Sequence, residues 1–181
     1  MLFADGPLWL RVFEPRYVDM VARCLRGVNR FGVVAIRQGG EVGDATWYDL
    51  GTAAEIVDWH EESRGVLGVV GVGRETFRVQ QSHRQADGLY VGEVAWLPPL
   101  QKRALPPEHA GLAGVLRNLL EPLPAYRGIA TAYDDAVWVG CRLAEILPLA
   151  LPLKQSLLET QDALVRLERL AAVLRSDEAG A

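Results

Sequence analysis

Apolar positions recur every second residue through much of the first hundred residues, and every third or fourth residue after that. Leu8, Leu10 and Val12 alternate with Trp9, Arg11 and Phe13, the period that sends side chains to opposite faces of a strand. The period then changes at Pro15, a residue that a first helical turn tolerates because its missing N–H would have no intrahelical partner. Tyr17, Met20, Val21 and Leu25 form an apolar stripe at helical spacing, and Gly27 and Asn29 supply a stop. Phe31 to Arg37 reads as a buried strand, followed by a polar loop bracketed by Gln38-Gly39-Gly40 and Gly43-Asp44. Trp47 to Glu61 predicts one or two strands, and Val66 to Gln80 a long one. Glycines at 68, 71 and 73 are the expected sites of bulges or bends in that long strand. Ala86-Asp87-Gly88 predicts a hairpin into a strand from Leu89 to Trp96.

Leu97-Pro98-Pro99 closes the strand-rich part, and Leu105-Pro106-Pro107 opens a helical one. An amphipathic helix is predicted over Glu108 to Glu121, and a second from a Thr131 cap to about Leu147. A short helix over Leu153 to Glu159 and a last one beginning near Asp162 complete the pattern. The chain therefore divides into a β part over residues 1–100 and a helical part over 101–181. The fold class is α+β: a curved antiparallel sheet with one early helix, followed by a helical bundle.

Composition narrows the function. Half of the 181 residues are hydrophobic and 23% are charged, an ordinary globular balance. The net charge of −4 disfavours a broad cationic surface for nucleic acid or an anionic membrane. No run reaches the roughly 18–20 apolar residues of a membrane span. No basic, apolar leader opens the chain, and Cys24 and Cys141 read as small buried residues of a reducing compartment, so a cytoplasmic protein is expected.

Leu10-Arg11-Val12-Phe13-Glu14-Pro15-Arg16-Tyr17 resembles the L-x-I-F-E-P-R-Y signature of the bacterial Lon protease N-terminal, substrate-binding domain. Four further segments run in that family's order. Phe31-Gly32-Val33-Val34 looks like its next strand, Gly51-Thr52-Ala53-Ala54-Glu55-Ile56 like its G-T-x-A-x-I strand, and Gly73 to Val79 like its G-x-x-R-F-x-I strand. Arg142 to Pro148, with Lys154-Gln155 and Leu157-Leu158-Glu159, resembles its helical tail. The resemblance implies a PUA-like pseudo-barrel followed by a small helical bundle. It also implies polypeptide recognition through the sheet face and a cleft beside the helices, with unfolded or exposed polypeptide segments, a protease or a chaperone as partners. Lon-type domains carry an earlier L-P-L-F-P-L strand, whereas Met1 to Gly6 resembles only the turn after it, with Ala4 in place of proline. Either that strand lies upstream, or the sheet closes without it and leaves an exposed edge. An exposed edge would favour a homodimer.

The residues offer little catalytic chemistry. The two lysines, Lys102 and Lys154, do not follow a glycine, so G-x-x-x-x-G-K-[ST] is absent. Ser156 lies two positions from Lys154, a spacing that does not face one side chain to the other on a helix. His60, His83 and His109 are scattered, without the clustering a metal requires. No enzyme activity, cofactor or metal is expected. Trp9, Trp47, Tyr48 and Trp59 exceed the aromatic surface such a sheet must bury. Some are expected in the core and the rest in an apolar groove for a partner chain. Arg11, Glu14 and Arg16 are expected to pair at the strand–helix corner, with Arg11 and Arg16 as further candidate partner contacts. Arg74, Arg78, His83 and Arg84 make a basic strip, the basis of an alternative RNA-binding reading. A third reading, an enzyme acting on a small molecule, would need a polar pocket holding a carboxylate of strongly shifted pKa.

Overall fold

The computed structural model describes residues 1–40 and 45–179, so Gly43 and Asp44 of the expected polar loop lie outside the described residues. The chain divides into two compact units, Met1–Pro99 and Leu100–Ala181.

The first unit is an open five-stranded antiparallel sheet and a two-stranded one. Strand β1 (Pro7–Val12) leads into helix α1 (Pro15–Arg26), with Pro15 in its first turn as the sequence requires. Then come β2 (Arg30–Val33), β3 (Ile36–Gln38), β4 (Thr46–Trp47), β5 (Leu50–Ser63), β6 (Val66–Arg84) and β7 (Tyr90–Trp96). The order is β1-β6-β5-β2, with β7 also on β6, so β1 and β2 are edges and the sheet is not a closed barrel. The strand expected over Phe31 to Arg37 is interrupted at Val34 and Ala35. There the chain leaves β5, and β3 pairs with β4 instead. Neither register nor partner of so short a segment is encoded locally.

One core cluster joins Val12, Val21, Ile56 and Val69, with Leu10, Tyr17, Met20 and Phe31 packed around it. The apolar stripe of α1 therefore covers one face of the β1-β6-β5 sheet. Register irregularities lie beside Gly71 and Gly73, where bends were expected. Gly73 also lets the N-terminal segment close on β6. Asp5 N–H donates to Gly73 O and Gly73 N–H to Gly6 O, both at 2.8 Å, and a Cβ there would collide with Phe3 O. Gly68 serves another purpose, as the His60 ring occupies the space a Cβ would take.

The second unit contains α2 (Ala110–Leu120), α3 (Ala136–Ile146), α4 (Leu151–Glu159) and α5 (Ala163–Ala179). The cap of α3 is Asp135, not Thr131: its carboxylate accepts the Val137 N–H at 2.9 Å. An Ala104–Asp135 bridge, the Leu105 N–H bond to Asp134 O and a turn in which Asp135 N–H donates to Ala132 O engage the preceding backbone, and this delays the helix. Helices α3 and α5 approach closely at Gly140, where Arg166 Cδ would lie 3.2 Å from an added Cβ. Buried Arg166 donates to Leu157 O at 3.0 Å and to Thr160 O, satisfying carbonyls at the end of α4.

Candidate functional site

Backbone register decides which candidate side chains can act together. On β6, Val70 lies opposite Trp9, and the adjacent Val69 lies opposite Trp59. Directly opposed residues share a face and successive residues alternate, so the two tryptophans project from opposite sides of the sheet. Val69 is buried beneath α1. Trp59 thus stands on the helix-covered side, half exposed, and Trp9 on the other side at 58% exposure.

Arg11 shares the face of Trp9. It sits opposite Gly68, which is also opposite His60, and its Nε donates to Glu62 Oε2 at 2.5 Å. Glu62 Oε1 lies 3.9 Å from His60 Nε2. The expected corner cluster is therefore divided: Arg11 pairs with Glu62 of β5, and of the three only Glu14 and Arg16 pair at the corner, at 2.7 Å. Arg16 is largely enclosed. It lies 4.7 Å from the centre of the Tyr17 ring and donates to Gly88 O at 3.3 Å, tying α1 to the β6–β7 turn.

Trp47 belongs to neither face group. It meets Tyr90 edge-on at 4.6 Å, with Arg84 over the other ring at 5.8 Å, while Tyr48 lies under Arg37 at 6.0 Å. Trp9 and Arg11 are consequently the two candidates that the sheet brings together at one exposed place. That place is the edge: β1 pairs with β6 alone among the described residues, leaving its other side without a strand partner. Phe13, 66% exposed, follows at its end. The sequence reading had not singled out Phe13 or Tyr90. The signal for Phe13 was its place in the Trp9-Arg11-Phe13 alternation.

The basic strip does not survive folding as one surface. Arg74 pairs with Glu55 at 2.5 Å, which holds the Glu55 carboxyl below its ordinary range. An irregularity between Val79 and Gln81 then places Arg78 and His83 on one face of the β6–β7 ribbon and Arg84 on the other.

In the helical unit, α2, the segment after it and the first turn of α3 line a cavity of about 420 Å³, with Arg117, Tyr126, Tyr133 and Trp138 among its walls. Sequence reasoning missed it, because half of its lining comes from a proline-broken connection without periodicity, folded against residues of α2 and α3. Beneath it, Tyr126 donates to Glu145 Oε2 at 2.9 Å, and buried Arg142 lies 3.1 Å from the same carboxylate oxygen. Burial, reinforced by that carboxylate, pushes the Tyr126 hydroxyl far above its ordinary range, and burial lowers Lys154. Among the described residues, no group of three or more His, Cys, Asp or Glu could hold a metal ion, and no helix is long and apolar enough to cross a membrane.

Comparison with known proteins agrees with the fold. Residues 1–176 match the family model of the ATP-dependent protease La (Lon) substrate-binding domain. The chain is similar to a Lon N-terminal domain protein from Xanthomonas campestris, with TM-score 0.78 and 40% identity, covering 95% of this chain and 92% of that one. It shares its fold with the N-terminal domain of Mycobacterium avium complex Lon protease, with TM-score 0.61 and 16% identity over 94% and 90% of the chains. Protein cereblon of Danio rerio is 34% identical over 109 residues, and that of Xenopus tropicalis 33%. These matches cover 59% of this chain but only 24% and 23% of those relatives, so the chain spans about a quarter of their length.

Proposed function

Starting from a chain that belongs to the Lon substrate-binding domain family, we propose that it is a non-catalytic, cytoplasmic polypeptide-recognition module, residues 1–100 and 101–181 together making up one Lon substrate-binding-like unit. The observation that carries the reading is the β1 edge, where Trp9 and Arg11 stand exposed beside a strand side with no partner strand among the described residues. An extended segment can add to such an edge through main-chain hydrogen bonds, while alternate side chains supply selectivity. Trp9 offers a large apolar surface that loses little conformational entropy on contact, and Arg11 favours acidic neighbours. Exposed apolar segments of unfolded chains fit this description, as does the strand of a second copy. The absence of a P-loop motif supports recognition without ATP hydrolysis.

The test is fluorescence anisotropy of a labelled, permanently unfolded polypeptide titrated with the purified chain. Binding is expected below ~100 µM, within reach of ordinary weak encounters, and at least about tenfold weaker for Trp9→Ala, the loss typical of an interface anchor. No binding, or binding indifferent to Trp9, refutes the proposal. ATP or peptide-bond hydrolysis by the pure chain refutes its non-catalytic part.

A further inference from the structure

The cavity in the helical unit has a composition unlike the sheet edge. Its inner wall is apolar and aromatic, with Leu120, Tyr126, Ile129 and buried Trp138. The Tyr126 hydroxyl is committed to Glu145, which leaves the ring as that residue's contribution to the wall. Tyr133 meets Trp138 edge-on at 5.1 Å, and the Arg117 guanidinium lies 4.6 Å from the Tyr133 ring centre. A guanidinium stacked in this way is held by its flat face, while the N–H donors in its plane remain able to grip a carboxylate. Arg127 also lines the cavity, and neither arginine side chain has an ion pair or hydrogen bond with another described residue. Glu121 contributes one negative charge, so the lining carries two positive and one negative, in a chain whose net charge is −4. Its volume of about 420 Å³ lies within the range of small-ligand pockets.

We propose that this cavity binds an aromatic carboxylate, with the ring against the Tyr126–Trp138 wall and the carboxylate between Arg117 and Arg127. The same chemistry comes from a free aryl-alkanoic acid or from the C-terminal aromatic residue of a peptide. The site is independent of the β1 edge.

The experiment titrates 3-phenylpropionate into the full chain and follows it by calorimetry and amide NMR. Saturable binding at about 1 mM or tighter is expected, as suits so small a ligand. The neutral 3-phenylpropionamide should bind at least about tenfold more weakly, and Arg127→Gln should lose a similar factor without a change in melting temperature, because the salt-bridged carboxylate is then half released. Glu121→Gln should tighten binding a few-fold by removing a like charge, and Trp9→Ala should leave it unchanged. A parallel titration with Ala-Ala-Phe, free acid against amide, separates the sources. Tighter binding of the free-acid peptide assigns the site to chain termini, and binding of the small acid alone assigns it to a free acid. Equal binding of acid and amide, no effect of Arg127→Gln, or no saturable binding of either ligand overturns the proposal.

Discussion

Replacing Glu145 by glutamine changes one charge and almost no volume, at a place where that charge has a structural task. The Arg142 side chain is fully buried and that of Glu145 is 9% exposed, with Nε and Oε2 3.1 Å apart. At an effective dielectric of about 20 this attraction is worth about 5 kcal/mol, set against the cost of removing both ions from water. Glutamine retains an oxygen to accept the Tyr126 hydroxyl but leaves Arg142 without that neutralising charge. Buried pairs broken on one side lose about 3–5 kcal/mol. For a chain of this size that corresponds to a melting temperature lower by roughly 6–20 °C. Tyr126→Phe, which removes a neutral donor from a charged acceptor, should lose only about 1.5–3 kcal/mol. Denaturant unfolding with linear extrapolation measures both. The double variant Arg142→Met/Glu145→Gln should lie closer to the parent than Glu145→Gln does, because the stranded charge has gone. A Glu145→Gln variant within about 1 kcal/mol of the parent, or no recovery in the double variant, would refute the claim that this carboxylate compensates Arg142.

Two further outcomes follow, one from the same cluster and one from the sheet. Tyr126 has a folded-state pKa raised by burial and by Glu145, so its protonated form contributes stability below the ordinary tyrosine value of about 10. That contribution falls as pH rises from there, since the unfolded chain loses the proton first. Thermal melts at pH 9 and pH 11 should show the advantage of the parent over Tyr126→Phe shrinking, by at most about 1.4 kcal/mol per pH unit. An advantage independent of pH would contradict the assigned shift. Gly73→Ala drives a Cβ into Phe3 O, a backbone atom with no freedom to turn aside. It should release the Leu2–Phe3 segment from the core and lose about 3 kcal/mol or more. Hydrogen exchange at Asp5 N–H, which donates to Gly73 O, should quicken in step, and unchanged protection there would show that the segment is held by other contacts.

Much of the architecture can be read along the chain because local chemistry and tertiary packing agree there. The alternation through Leu8 to Phe13, the proline opening α1 and the proline-rich joint near residue 100 each act over a few residues, and the fold uses all three. Agreement fails where distant strands decide. Phe31 to Arg37 could not reveal that β3 would abandon β5 for β4, and Thr131 could not reveal that a bridge from Ala104 would delay α3 until Asp135. The candidate surface shows the same division. Its residue types were visible in the sequence, since Trp9, Trp47, Tyr48 and Trp59 are more aromatic surface than such a sheet must bury, and Arg11 and Arg16 flank the strand–helix corner. Their grouping was not, because a side chain's face depends on register, and one extra residue in a strand reverses it. The irregularities in β5 and β6 put Trp9 and Trp59 on opposite faces and split the arginine strip. The cavity among Arg117, Tyr133 and Trp138 exists only once an aperiodic connection has folded back between two helices. Periodicity and turn chemistry are properties of neighbours along the chain, whereas a site is a property of neighbours in space, which register and packing alone assign.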